Sequence, residues 1–342
     1  MPIPPRRWSV LILPLALAAC DQFESPDVAR IESIDPDSGA IGSLVILQSQ
    51  NLFNNTLVVF HDDVPSPMAA VFSDERIVTI VPEGATSGDV RVETAGERGS
   101  SRVNFTVIPP PPTTPAFFED ATGAPATDFL PCPGRDPLDD GYAQVTLPFP
   151  FPYYGREQLQ MFVSMNGLVS FDAPRPCDNA GDTRDFATPP TDKVALLGFD
   201  LARDGGQVLV NVSDPAQVVV TWSDVALFAL DETSNTFQLV LYPDGRIRMN
   251  YGYLSTRGIG ATQPLLNGVT GSITGITSLN ATNLVDVTFT VQSPIEIGPS
   301  DAIVNRFFLD RFCDLENRSL LFTPREVGGV FAGYRAELLP AS

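Results

Sequence analysis

Apolar and polar residues alternate with a period of two along much of the chain. Val90 and Val92 are separated by Asp89, Arg91 and Glu93, and Val103, Phe105 and Val107 by Asn104 and Thr106. Successive side chains of an extended strand point to opposite faces, so this spacing predicts half-buried β-strands. Leu44 to Leu47, Leu57 to Phe60 and Arg76 to Val81 are short β-branched runs bounded by Asp, Pro, Gly and Ser. About six strands within residues 29–108, with no helical pattern among them, predict a small sandwich. Farther on, Thr236 to Tyr242 and Arg246 to Tyr251 alternate on either side of Pro243-Asp244-Gly245, a strong hairpin signal. Gln217 to Trp222 and Leu284 to Val291 are expected to add strands. Helical periodicity is hard to find anywhere.

The pattern breaks once, at Pro109-Pro110-Pro111-Pro112-Thr113-Thr114-Pro115. Such a run favours polyproline II and reads as a linker over residues 109–116, a strut of roughly 20 Å. Residues 117–342 then form one larger β-rich unit, within the single-domain range for sandwiches.

The N-terminus has a different character. Arg6 and Arg7 precede an apolar run from Trp8 to Ala19, too short to span a bilayer as a helix. Its end, Leu17-Ala18-Ala19-Cys20, resembles the bacterial lipobox. That resemblance implies a signal peptide over 1–19, lipid attachment at Cys20 and a short tether over 20–28. It also implies an extracytoplasmic place in the bacterial cell envelope, membrane-anchored through the lipid. Several acyl chains at about 0.8 kcal/mol per buried methylene suffice for stable anchoring.

Residues 29–108 resemble the IPT/TIG family of immunoglobulin-like domains. The match is carried by Ile34-Asp35-Pro36-Asp37-Ser38-Gly39, Gly42-Ser43-Leu44-Val45-Ile46, the stretch from Val81-Pro82-Glu83-Gly84 to Val92, and Val103-Asn104-Phe105-Thr106-Val107. The family usually has glycines where this chain reads Gln48 to Phe53, which leaves Asn51 or Asn54 to take any positive-φ turn. A later glycine pair is replaced around His61-Asp62-Asp63. The larger unit resembles the nidogen-like (NIDO) domain. Leu147 to Gly155 matches its opening, Phe162 to Phe171 its Asn-Gly segment, Val194 to Asp200 an apolar strand, and the Phe237 to Gly252 hairpin its Asp-Gly stretch. The fold class expected is therefore all-β, an immunoglobulin-like sandwich followed by a larger β-sandwich-type domain. The first resemblance implies a spacer or a ligand-recognition module without catalytic residues, and the second an extracellular adhesion or matrix-type module rather than an enzyme.

Composition narrows the function classes. The 342 residues carry 21 basic against 41 acidic side chains, a net charge of −20, which repels phosphate backbones. Nucleic acid is not an expected partner. His61 and Lys193 are the sole histidine and lysine, which all but removes His triads, His-ligated metals and Schiff-base chemistry.

Export makes disulfides permissible. With Cys20 lipidated, Cys132, Cys177 and Cys313 remain. Cys132 and Cys177 flank the strand pair around Leu147 to Phe171 and are the favoured disulfide, with Cys177–Cys313 the rival. Asp178, Asp182 and Asp185 crowd around Gly181 and could collect oxygen ligands for calcium, although the spacing is not an EF-hand. Asp136, Asp139 and Asp140 form a second acidic turn; solvated loop carboxylates are the plainer reading of both. Trp222, Tyr153, Tyr154, Tyr251 and Tyr253 could line a sugar-binding surface, but strand aromatics are usually core. Apart from that calcium no cofactor is expected. The reading is a non-catalytic, lipid-anchored envelope protein that binds a protein or glycan partner through sandwich loops. Its rivals are a glycan hydrolase using carboxylates of the acidic loops and a structural or assembly lipoprotein.

Overall fold

The computed structural model describes residues 29–339 except 53–55, 68, 74, 95–96, 99–100, 109–116, 121–123, 126–128, 132–139, 175–185, 187–190, 199–200, 203–205, 228–229, 255–271, 292 and 308–314. The protein is all-β, built from two pairs of stacked sheets.

In the first pair, a four-stranded sheet runs in the order Arg30–Asp35, Leu44–Gln50, Arg76–Ile80, Ala69–Ser73. It faces a six-stranded sheet whose centre is Val103–Val107, Gly88–Thr94 and Thr56–Phe60. Alternation sets the core: Val45, Leu47 and Ile77 from one sheet meet Val58, Phe60, Val90, Val92 and Phe105 from the other. Asn51 takes the positive-φ turn (φ 58°), while Asn54 lies outside the described residues. Asp62 and Asp63 adopt φ of 61° and 62° where the resembled family has glycines.

The second pair is larger. A nine-stranded sheet carries, in order, Ala124–Pro125, Gln207–Asn211, Val218–Leu227, Leu230–Leu241, Ile247–Leu254, Arg318–Val327, Val330–Leu339 and Ile295–Ile297, with Leu201–Ala202 paired to Val218–Leu227. The eight-stranded sheet opposite runs Leu130–Pro131, Gly141–Tyr153, Arg156–Ser164, Leu168–Ser170, Lys193–Gly198, Ser272–Thr277, Asp301–Phe307, Asn283–Asp286. The Asp-Gly hairpin forms as its sequence predicts, with Leu241 opposite Ile247 and Gly245 at φ 85°. Phe237, Leu239 and Leu241 all point into the core.

One expected strand is cut short. Of Leu284 to Val291 only the first part is ladder, within Asn283–Asp286, and it pairs in parallel with Asp301–Phe307 at the sheet edge. Phe289 explains the break. Its ring turns into the core and meets Phe322 edge-on at 6.0 Å, drawing the chain off the edge.

Linker residues 109–116 lie outside the described residues. On either side of them the two halves touch, because Leu44, Ile46, Val78 and Ile80 belong to the same buried cluster as the large core.

Candidate functional site

The residues singled out for chemistry fall mostly where the structure is not described: Cys20, Cys132, Cys177, Cys313, Asp178, Asp182 and Asp185 all lie there. Among the described residues no group of three or more His, Cys, Asp or Glu is placed to hold a metal ion. Trp222, Tyr153, Tyr154, Tyr251 and Tyr253 are all buried, which makes them core rather than a sugar platform.

The interior polar atoms instead tie strands together. Asp140, expected in a solvated acidic turn, is buried, and its Oδ1 accepts from Asn166 Nδ2 at 3.1 Å. Asn166 Oδ1 in turn accepts the Leu201 amide at 2.9 Å. Asn166 and Gly167 make the turn between Arg156–Ser164 and Leu168–Ser170; Gly167 has φ 71°, and a Cβ there would stand 2.4 Å from the Leu197 carbonyl. Trp222 Nε1 donates across the sandwich to Ser164 O at 3.0 Å, and the Tyr251 hydroxyl to Leu196 O at 3.0 Å. These rings carry both apolar area and a satisfied donor, which is how a large aromatic is tolerated deep in a core.

A second knot surrounds the Tyr153-Tyr154-Gly155 turn. The Tyr153 hydroxyl lies within hydrogen-bond reach of the Lys193 and Thr277 carbonyls (2.6 and 2.7 Å), and the Tyr154 hydroxyl donates to Asp301 O at 2.8 Å. Burial pushes both hydroxyls well above the ordinary phenol range. Asp192 is buried beside them. It accepts from the Arg156 guanidinium and from the Leu279 amide. Burial raises its carboxyl above the ordinary value, against the opposing pull of those two donors.

On the outer face of the nine-stranded sheet runs an in-register polar row: Thr221 opposite Gln238, Gln238 opposite Asn250, Asn250 opposite Ser319. Gln238 Nε2 donates to Thr221 Oγ1 (2.9 Å), Asn250 Nδ2 to Gln238 Oε1 (3.0 Å) and Ser319 Oγ to Asn250 Oδ1 (2.7 Å). Over the row lies the chain just after the linker. The Glu119 amide donates to Gln238 Oε1 and its carbonyl accepts from Gln238 Nε2, both at 3.0 Å. A side-chain amide thus reads a backbone segment as a neighbouring strand would.

Two surface features remain. One is a charged cluster in the first sandwich, where His61 Nδ1 donates to Asp89 Oδ1 at 2.7 Å, Arg102 also pairs with Asp89, and Arg91 pairs with Asp63 and Glu93. The bond to Asp89 raises the imidazole pKa, and the same bond lowers that of Asp89. The other is the turn between Arg318–Val327 and Val330–Leu339. Val327 and Val330 are 69% and 68% exposed, the most exposed large apolar side chains among the described residues. Gly328 and Gly329, at φ 62° and 79°, form the turn, and a Cβ on either would meet no atom within 4 Å. Two glycines between alternating runs are a local hairpin signal, legible in Val327-Gly328-Gly329-Val330 without any tertiary information.

A family model described as NIDO related matches residues 117–308. The match begins at the segment that lies over the polar row and ends before the Val327–Val330 hairpin. No curated protein matches the chain. A solved structure of an auxiliary nutrient binding protein from Bacteroides thetaiotaomicron is 10% identical, covering 90% of this chain and 85% of its own, with a TM-score of 0.21. That likeness is too slight to carry an argument.

Proposed function

Because the chain belongs to the NIDO-related family, with residues 117–308 as the family segment, we propose that it is a non-catalytic binding protein of the bacterial cell envelope. In this reading Cys20 carries the lipid that anchors it, residues 29–108 act as an IPT/TIG-like immunoglobulin-like module, and sandwich loops and turns contact a protein or glycan partner. The observation that carries the reading is the exposed pair Val327 and Val330 on either side of a Gly-Gly hairpin turn. Two valines held in open water by ten-residue strands cost solvation without helping the core, which favours a contact role for them. The buried carboxylates Asp140 and Asp192 support the non-catalytic side of the reading. Each is committed to holding a neighbouring strand or loop.

The test is affinity capture from the native envelope with the intact chain and with the double variant Val327→Ser, Val330→Ser. The intact chain is expected to retain a partner that the variant loses, with both equally folded. Purified protein that turns over a small glycan would overturn the non-catalytic reading, and partition into the aqueous phase on detergent phase separation would overturn the anchor.

A further inference from the structure

The four-stranded sheet of the first sandwich has two faces, and a sandwich needs only one of them buried. Val45 and Leu47 on Leu44–Gln50, with Ile77 on Arg76–Ile80, fill that core. Their neighbours Leu44, Ile46, Val78 and Ile80 point the other way, where a free-standing module would present polar residues to water. They are buried nonetheless, none more than 4% exposed, and they join the core of the NIDO-related unit. Register makes them one patch: Leu44 stands opposite Ile80, and Ile46 opposite Val78. At its edge the Ser43 and Tyr253 hydroxyls lie 3.0 Å apart in a buried hydrogen bond between the two halves.

From this geometry we infer that the outer face of Leu44–Gln50 and Arg76–Ile80 is a permanent docking surface whose partner is the NIDO-related unit of the same chain. The two units are one body held by this apolar patch. Removing four aliphatic side chains from water is the main driving force for docking. The Ser43–Tyr253 bond adds orientation, since leaving either hydroxyl buried and unmatched is costly. The surface open to an outside partner is accordingly that of the joined body, without the Leu44–Ile80 face.

The experiment places a specific protease recognition sequence within residues 109–116 of the full chain, cleaves it, and follows the two halves by gel filtration. They are expected to co-elute at micromolar concentration and to separate only under denaturing conditions. Halves that elute apart while each stays folded by circular dichroism overturn the inference. In the cleaved protein, Ile46→Ala and Ile80→Ala are each expected to weaken re-association by about thirtyfold or more, which corresponds to about 2 kcal/mol of lost packing. If both truncated forms fold and re-associate as tightly as the parent, the patch is not the docking surface. The cleavage result stands by itself if either fails to fold.

Discussion

The imidazole of His61 lies directly over Gly88: a Cβ built on that glycine would stand 2.2 Å from His61 Cγ and 2.7 Å from its Cβ. The ring therefore reaches Asp89, the next residue, only because position 88 carries no side chain. The clash involves the root of His61 as well as its ring, so a rotamer change alone does not relieve it.

His61 is the sole histidine, so its proton resonances report one titration. Its pKa is raised from 6.5 by the Asp89 bond, and that of Asp89 is lowered from 3.8 by His61. The imidazolium side of the tie is fully present below pH 6.5 and is lost as pH rises through the raised value. The carboxylate side is present above pH 3.8 and is lost as pH falls through the lowered value. The contact is therefore strongest between those limits. An NMR titration is expected to give a midpoint above 6.5, and Asp89→Asn and Gly88→Ala should each return it toward 6.5.

Asn166 joins Asp140 to the Leu201 amide inside the fold. Asn166→Ala removes a donor from a buried carboxylate and an acceptor from a buried N–H. Each loss costs about 1–3 kcal/mol, so a destabilisation of about 2–6 kcal/mol is expected in urea unfolding. Gly167→Ala should be at least as damaging, since it combines a left-handed backbone with a clash against Leu197 O. An unchanged midpoint in both variants would refute this account of the turn.

Gln238→Leu keeps the volume but cannot read the Glu119 backbone. Amide hydrogen exchange at Glu119 is expected to rise sharply, with about 1–3 kcal/mol lost from buried groups left unpaired. Glu119→Ala serves as the contrast. Its partly exposed carboxylate pairs with Arg248 at 3.5 Å, a contact of about 0–1 kcal/mol. Exchange at position 119 should change little there, because the backbone clasp is intact.

Lys193 is the sole lysine and is 1% exposed, its Nζ 5.4 Å from the centre of the Phe186 ring. An amine-reactive ester should leave Lys193 unmodified in the native protein and label it once the protein is unfolded. Peptide mass mapping after brief exposure checks this, and rapid native labelling would contradict the burial of that face.

Much of the fold is legible in the chain because strand alternation is a local signal. The runs at Leu44, Leu57, Arg76, Val90 and Val103 and the hairpin through Asp244-Gly245 each declare themselves within a few residues, and the structure contains all of them. The NIDO resemblance is carried the same way, by turns and strands whose chemistry is local. The surface hairpin is less legible, since its glycines say turn but nothing nearby says how far it projects. The expected cysteine and aspartate sites lie outside the described residues.

What the sequence alone determined is the character of each ribbon: where it is strand, where it reverses, and which residues share a face. It could not assign the faces to their partners. Leu44 to Leu47 reads as one apolar run, yet alternate residues belong to two different cores. Asp140 reads as an acidic loop residue and proves to be a buried anchor. The physical reason is separation along the chain. Ser43 meets Tyr253 across 210 residues and Glu119 meets Gln238 across 119. Such pairings are selected by the packing of whole sheets, a property of the folded chain that no short window of residues contains.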